Sequence, residues 1–132
     1  MSGATWIRIG AVLGGLAVAA GAFGAHGLRE RLDARSLEVF ETAAKYQMYH
    51  ALALLAVGLL AMTGRGGASL TVAGWSFLVG ILIFSGTLYG LSISGLRWLG
   101  AITPIGGVAM IAGWIALAIA AGGPAKATSV EL

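Results

Sequence analysis

Four long apolar runs, separated by short polar breaks, dominate the 132-residue chain. They cover about residues 6–25, 46–62, 70–93 and 99–121, each near the roughly 20 residues a helix needs to cross a bilayer's hydrocarbon core. The breaks at 63–69 and 94–98 are short and contain glycine; connections of that length make neighbouring helices antiparallel. The pattern predicts one membrane domain over 1–132, all-α, folded as a four-helix bundle threaded up-down-up-down.

The remaining connection, 27–45, is longer and patterned. Asp33 suits a helix start, because its carboxylate accepts from unpaired first-turn N–H groups. Leu37, Phe40, Ala44, Met48 and Ala51 follow at helical spacing, with Arg35, Glu38, Thr42 and Lys45 on the other side. A one-sided apolar stripe of this kind predicts an amphipathic helix over about 34–45 that lies at the membrane interface and runs into the second span, with a bend near Tyr46 and a solvated connecting helix both left open.

Composition agrees. The chain is 58% hydrophobic and 10% charged, with a mean hydropathy of +0.92, whereas a soluble domain carries roughly 25% charged residues. The net charge of +3 is scattered, and nucleic-acid binding needs a concentrated basic patch. The absence of cysteine removes disulfides, thiol catalysis and thiolate metal sites. The first apolar run is longer than a secretory signal core, so it is expected to persist as a span. Arg29, Arg31, Arg35, Lys45 and Arg97 fall on one side of the predicted topology, with Arg8, Arg65 and Lys126 on the other. The excess puts the long connection in the cytoplasm.

No Asp, Glu, Lys or Arg stands in the middle of a span, which counts against an ion-coupled pump. Small residues stand there instead. Gly10 and Gly14, Gly86 and Gly90, and Gly106, Gly107 and Gly113 are candidate packing positions, since small side chains let membrane helices approach closely. Packing within the bundle and self-association are both open to them.

Antiparallel threading also gathers polar residues at one end: His26, Tyr46, Gln47, Tyr49, His50, Tyr89, Arg97 and Thr103. Three readings of this cluster stand open. The groups satisfy one another, as His, Gln, Ser and Thr do between membrane helices; or they bind a lipid headgroup, quinone or other small amphiphile; or His26 and His50 ligate haem or a metal. Two histidines without carboxylate or cysteine helpers are a weak metal signal, so no cofactor is expected. Glycine-rich GAFGAHG lacks the lysine of a phosphate loop, no G-x-S-x-G elbow occurs, and no enzyme is expected.

Several ordered motifs resemble the YgdD-like family of small inner-membrane proteins, catalogued as a domain of unknown function. They are Gly21-Ala22-Phe23-Gly24-Ala25-His26-Gly27, Phe40-Glu41-Thr42-Ala43, Tyr46-Gln47-Met48-Tyr49-His50-Ala51-Leu52, Phe84-Ser85-Gly86-Thr87-Leu88-Tyr89, Ile102-Thr103-Pro104-Ile105-Gly106-Gly107 and Ala112-Gly113-Trp114. Gly27 departs from the pattern, which has alanine there. The resemblance implies a multi-pass inner-membrane protein and supplies no activity. Two functional classes follow. One is an accessory or assembly subunit packed against a larger membrane complex. The other is a stand-alone carrier of a small amphiphile.

Overall fold

The structure, a computed structural model, describes residues 1–123; Lys126, counted above for orientation, and the end of the predicted domain lie outside them. The described chain forms α1 (Gly3–His26), α2 (Ala34–Met62), α3 (Gly67–Ser94) and α4 (Trp98–Ala121).

Local chemistry sets the ends. Ser2 caps α1 by accepting from the Thr5 amide, and Asp33 caps α2 by accepting from the Ser36 amide at 2.7 Å. Gly95 closes α3 in the left-handed region, φ 72°, where a side chain would strain the backbone. The connection between α1 and α2 is only 27–33, folded back by Leu28 and Leu32 amide bonds and anchored by buried Leu28.

The expected amphipathic helix runs straight on into the second apolar stretch, with no break near Tyr46. Residues 34–45 and 46–62 form one uninterrupted helix of 29 residues, about 43 Å long at 1.5 Å per residue. Its first turns are not splayed away: Phe40, Ala43 and Ala44 are buried against the neighbouring helices.

Small residues order the packing. Gly3, Gly10, Ala17 and Gly24 repeat every seven residues on α1, as do Ala44, Ala51 and Gly58 on α2. A Cβ on Gly3 would meet the Gly58 carbonyl at 2.5 Å, one on Gly10 the Ala51 carbonyl at 2.8 Å, and one on Gly24 the Phe40 ring at 2.9 Å. The pairs run in opposite chain directions, so α1 and α2 lie antiparallel at near-backbone distance. Farther on, Gly80 faces Met110, Gly106 faces the Phe84 backbone, and Gly113 faces the Phe77 ring. These set α3 antiparallel to α4. Trp6 sits over Gly74, edge-on to Trp75, and ties the start of α1 to α3.

Helix α2 is central. It packs on α1 and α3 and touches α4, and its buried positions run from Phe40 to Gly58. Among the described residues, helices α1, α3 and α4 are the three long and apolar enough to cross a membrane. Helix α2 falls short because its first half is charged and its middle carries Gln47 and His50.

Candidate functional site

Hydrogen bonds from polar side chains join every adjacent pair of helices. The Gln47 amide nitrogen donates to the Leu13 carbonyl of α1 at 2.8 Å, and its oxygen accepts from the Tyr89 hydroxyl of α3 at 2.7 Å. One buried glutamine therefore bridges three helices. Ser85 donates to the Ala43 carbonyl at 2.8 Å, fastening α3 to α2 again. Thr87 and Thr103 lie 2.7 Å apart across α3 and α4. Each also approaches a backbone carbonyl of its own helix, Ile83 or Leu99. With two hydroxyl hydrogens between them, one threonine donates to the other and the second donates to its carbonyl.

His50 completes the set. Its Nε2 accepts from the Trp114 indole N–H at 3.1 Å, and its Nδ1 lies 2.7 Å from the Tyr46 carbonyl. Tryptophan only donates, so Nε2 carries the lone pair and Nδ1 the hydrogen. The ring is 5% exposed and packs against Phe77 and Trp114. Among the described residues, no buried side-chain nitrogen or oxygen is left without a partner.

The predicted one-ended cluster is thereby redistributed. His26 is exposed at the last residue of α1, and Arg97 is exposed at the α3–α4 turn. Tyr46 and Tyr49 point outward, at 40% and 52% exposure. Gln47 and Thr103 are buried, and Tyr89 is half-buried beside them. His50 stands sixteen residues into α2, about 24 Å from its start, beyond the helix midpoint. Counting it at the near end followed from starting the second span at Tyr46, twelve residues into the continuous helix. His26 and His50 are not brought together: α1 meets Phe40 near His26, ten residues short of His50. Among the described residues no three His, Cys, Asp or Glu converge on a metal position.

The predicted packing glycines divide by environment. Gly10, Gly90, Gly106 and Gly113 sit at close approaches, while Gly14 and Gly107 have ordinary contact room. Around Gly86 nothing lies within 4 Å of a built Cβ. It borders a groove of about 340 Å³ between α1 and α3, with Leu13, Leu16, Gln47, Leu82 and Tyr89 in its walls. Gly3, Gly24, Gly58, Gly74 and Gly80 are packing positions that sequence reasoning missed, and the seven-residue repeat was the signal for the first three. Trp114 was missed as His50's partner, because 64 residues separate them.

A bundle of long apolar helices with paired polar groups inside defines a helical membrane protein. The model of the family described as "Protein of unknown function (DUF423)" matches residues 20–107, and the chain belongs to that family. It is 49% identical over 116 residues to the UPF0382 membrane protein YwdK of Bacillus subtilis, covering 88% of this chain and 94% of that protein. It is 48% identical over 115 residues to a UPF0382 membrane protein of Staphylococcus epidermidis, covering 87% and 93%. No solved structure matches the chain significantly.

Proposed function

We propose that the chain crosses the plasma (inner) membrane four times, up-down-up-down, and serves as a small non-enzymatic accessory or assembly subunit of a larger membrane complex. In this reading α2 is the fourth span. Its length exceeds the roughly 30 Å hydrocarbon core, so the charged turns around Arg35 and Glu38 extend into the headgroup region.

The observation that carries the accessory role is the saturation of the interior. Gln47, His50, Ser85 and Thr103 use their hydrogen-bonding groups on the chain's own backbone and side chains. What faces outward at depth is apolar surface with small residues. Gly15, Gly21 and Gly86 have open space around them, which suits close contact with another helix. A second reading, a stand-alone binder of a lipid, quinone or other small amphiphile, draws on the groove beside Gly86, where Gln47 and Tyr89 border apolar walls.

The test is affinity purification at native expression in mild detergent, with mass spectrometry of proteins and small molecules. The accessory reading expects one partner complex at fixed stoichiometry, lost in Gly86→Leu while the variant stays in the membrane. Recovery of the chain alone with one enriched small molecule would establish the second reading instead. Recovery only as its own oligomer would contradict both.

A further inference from the structure

We propose that the cleft between the start of α2 and the α3–α4 turn is a phosphate site, and that its occupant is the phosphodiester of a phospholipid headgroup. This goes beyond the accessory role and does not depend on it.

The cleft encloses about 640 Å³ and is lined by Asp33, Arg35, Ser36, Ser92, Gly95 and Arg97 among others. Two arginines from two different elements therefore border one space. Its other polar groups have duties already. Asp33 accepts from the Ser36 amide at 2.7 Å, and Ser92 donates to the Tyr89 carbonyl at 2.8 Å. Arg35 and Arg97 remain as the donors for an occupant, and the planar guanidinium fork matches phosphate oxygens bidentately. The first turn of α2 borders the same space, and its dipole favours an anion, but Asp33 already takes the Ser36 N–H there and brings a carboxylate of its own to the cleft. Glu38 opposes the guanidinium charge from the adjoining hollow that Arg35 also lines. That leaves Arg97, which is not part of that hollow, as the less compromised donor.

Position selects a lipid over a soluble anion. The cleft lies at helix ends, beside Trp98, which is 59% exposed, and tryptophan concentrates at the headgroup level. Val39 and Leu91 also line the cleft, offering apolar contact for the start of an acyl chain. The soluble alternative lacks any use for them.

The experiment is native mass spectrometry of the full chain in neutral detergent, titrated with phosphatidylglycerol. Both arginines are exposed, so Arg35→Gln with Arg97→Gln leaves the fold intact, checked by circular dichroism. The control is Arg8→Gln with Arg65→Gln, two exposed arginines toward the opposite end. At about a factor of five per interfacial arginine, the cleft variant binds the first lipid roughly thirty-fold more weakly, and the control binds as wild type. Equal affinity in the cleft variant, or equal loss in the control, overturns the site. A parallel arm adds millimolar inorganic phosphate. Unchanged lipid binding supports the headgroup, whereas displacement of the lipid overturns the lipid assignment in favour of a soluble phosphate.

Discussion

The Trp114 indole donates to His50 Nε2 at 3.1 Å and so ties α4 to α2, two helices that otherwise touch little. The bond also fixes the imidazole's tautomer, leaving Nδ1–H for the Tyr46 carbonyl. Trp114→Phe keeps most of the ring packing but leaves Nε2 without its donor. It should lower stability by about 1 kcal/mol, as hydrogen bonds between membrane helices do. A double-mutant cycle with His50→Ala, read by unfolding in mixed micelles, should give a coupling near that size. A coupling of zero would mean the contact is incidental.

Gln47 differs, because its two partners belong to two other helices. Gln47→Leu leaves the Tyr89 hydroxyl without its partner at the edge of the α1–α3 groove, at a cost of about 1 kcal/mol. Adding Tyr89→Phe removes the stranded group, so the double variant should be more stable than Gln47→Leu alone. If the second substitution worsens stability instead, Tyr89 must find another partner and the bridge is not what holds these helices.

Glycine substitutions should divide as their surroundings do. A methyl on Gly106 would lie 2.5 Å from the Phe84 backbone nitrogen. Backbone cannot yield cheaply, so Gly106→Ala should cost about 1–3 kcal/mol. Gly86→Ala meets nothing within 4 Å and should be neutral or slightly stabilising, since alanine favours helix. Equal effects at both positions would contradict the packing described.

Asp33 gives a pH prediction. The hydrogen bond from the Ser36 amide, chiefly, holds its carboxyl below the ordinary 3.8. A lowered folded-state value means the cap's contribution is fully present above pH 3.8 and is lost as pH falls through the lower value. The Ser36 amide proton resonance should stay constant from neutral pH down to about 3.8, then move upfield. Asp33→Asn should abolish the titration.

Much of the architecture was legible because lipid writes it into length. The apolar runs at 6–25, 70–93 and 99–121 each fall within one helix, and Asp33 capped where its pattern indicated. The first half of α2 was ambiguous, since Arg35, Glu38 and Lys45 on one face suit a surface helix and the charged end of a longer packed helix alike. Only the partners of Phe40 and Ala43 distinguish the two. Pairings such as His50 with Trp114 are set by tertiary register, which no local spacing encodes. In α4 the buried face, Thr103, Gly106, Met110, Gly113 and Ala116, differs from the outward Ile105, Val108, Ile111 and Ile115 in size more than in polarity. Hydrophobic periodicity is therefore blind to it, and small-residue spacing is the better guide.

The central claim is that α2 crosses the membrane, and the cysteine-free sequence makes it directly testable. Single cysteines replacing exposed Arg31, Arg65 and Leu96 would be labelled with a membrane-impermeant maleimide in intact and in permeabilised cells. Four spans predict that positions 31 and 96 label on one side and position 65 on the other. If positions 31 and 65 share a side with 96 opposite, α2 does not cross, and the chain has three spans.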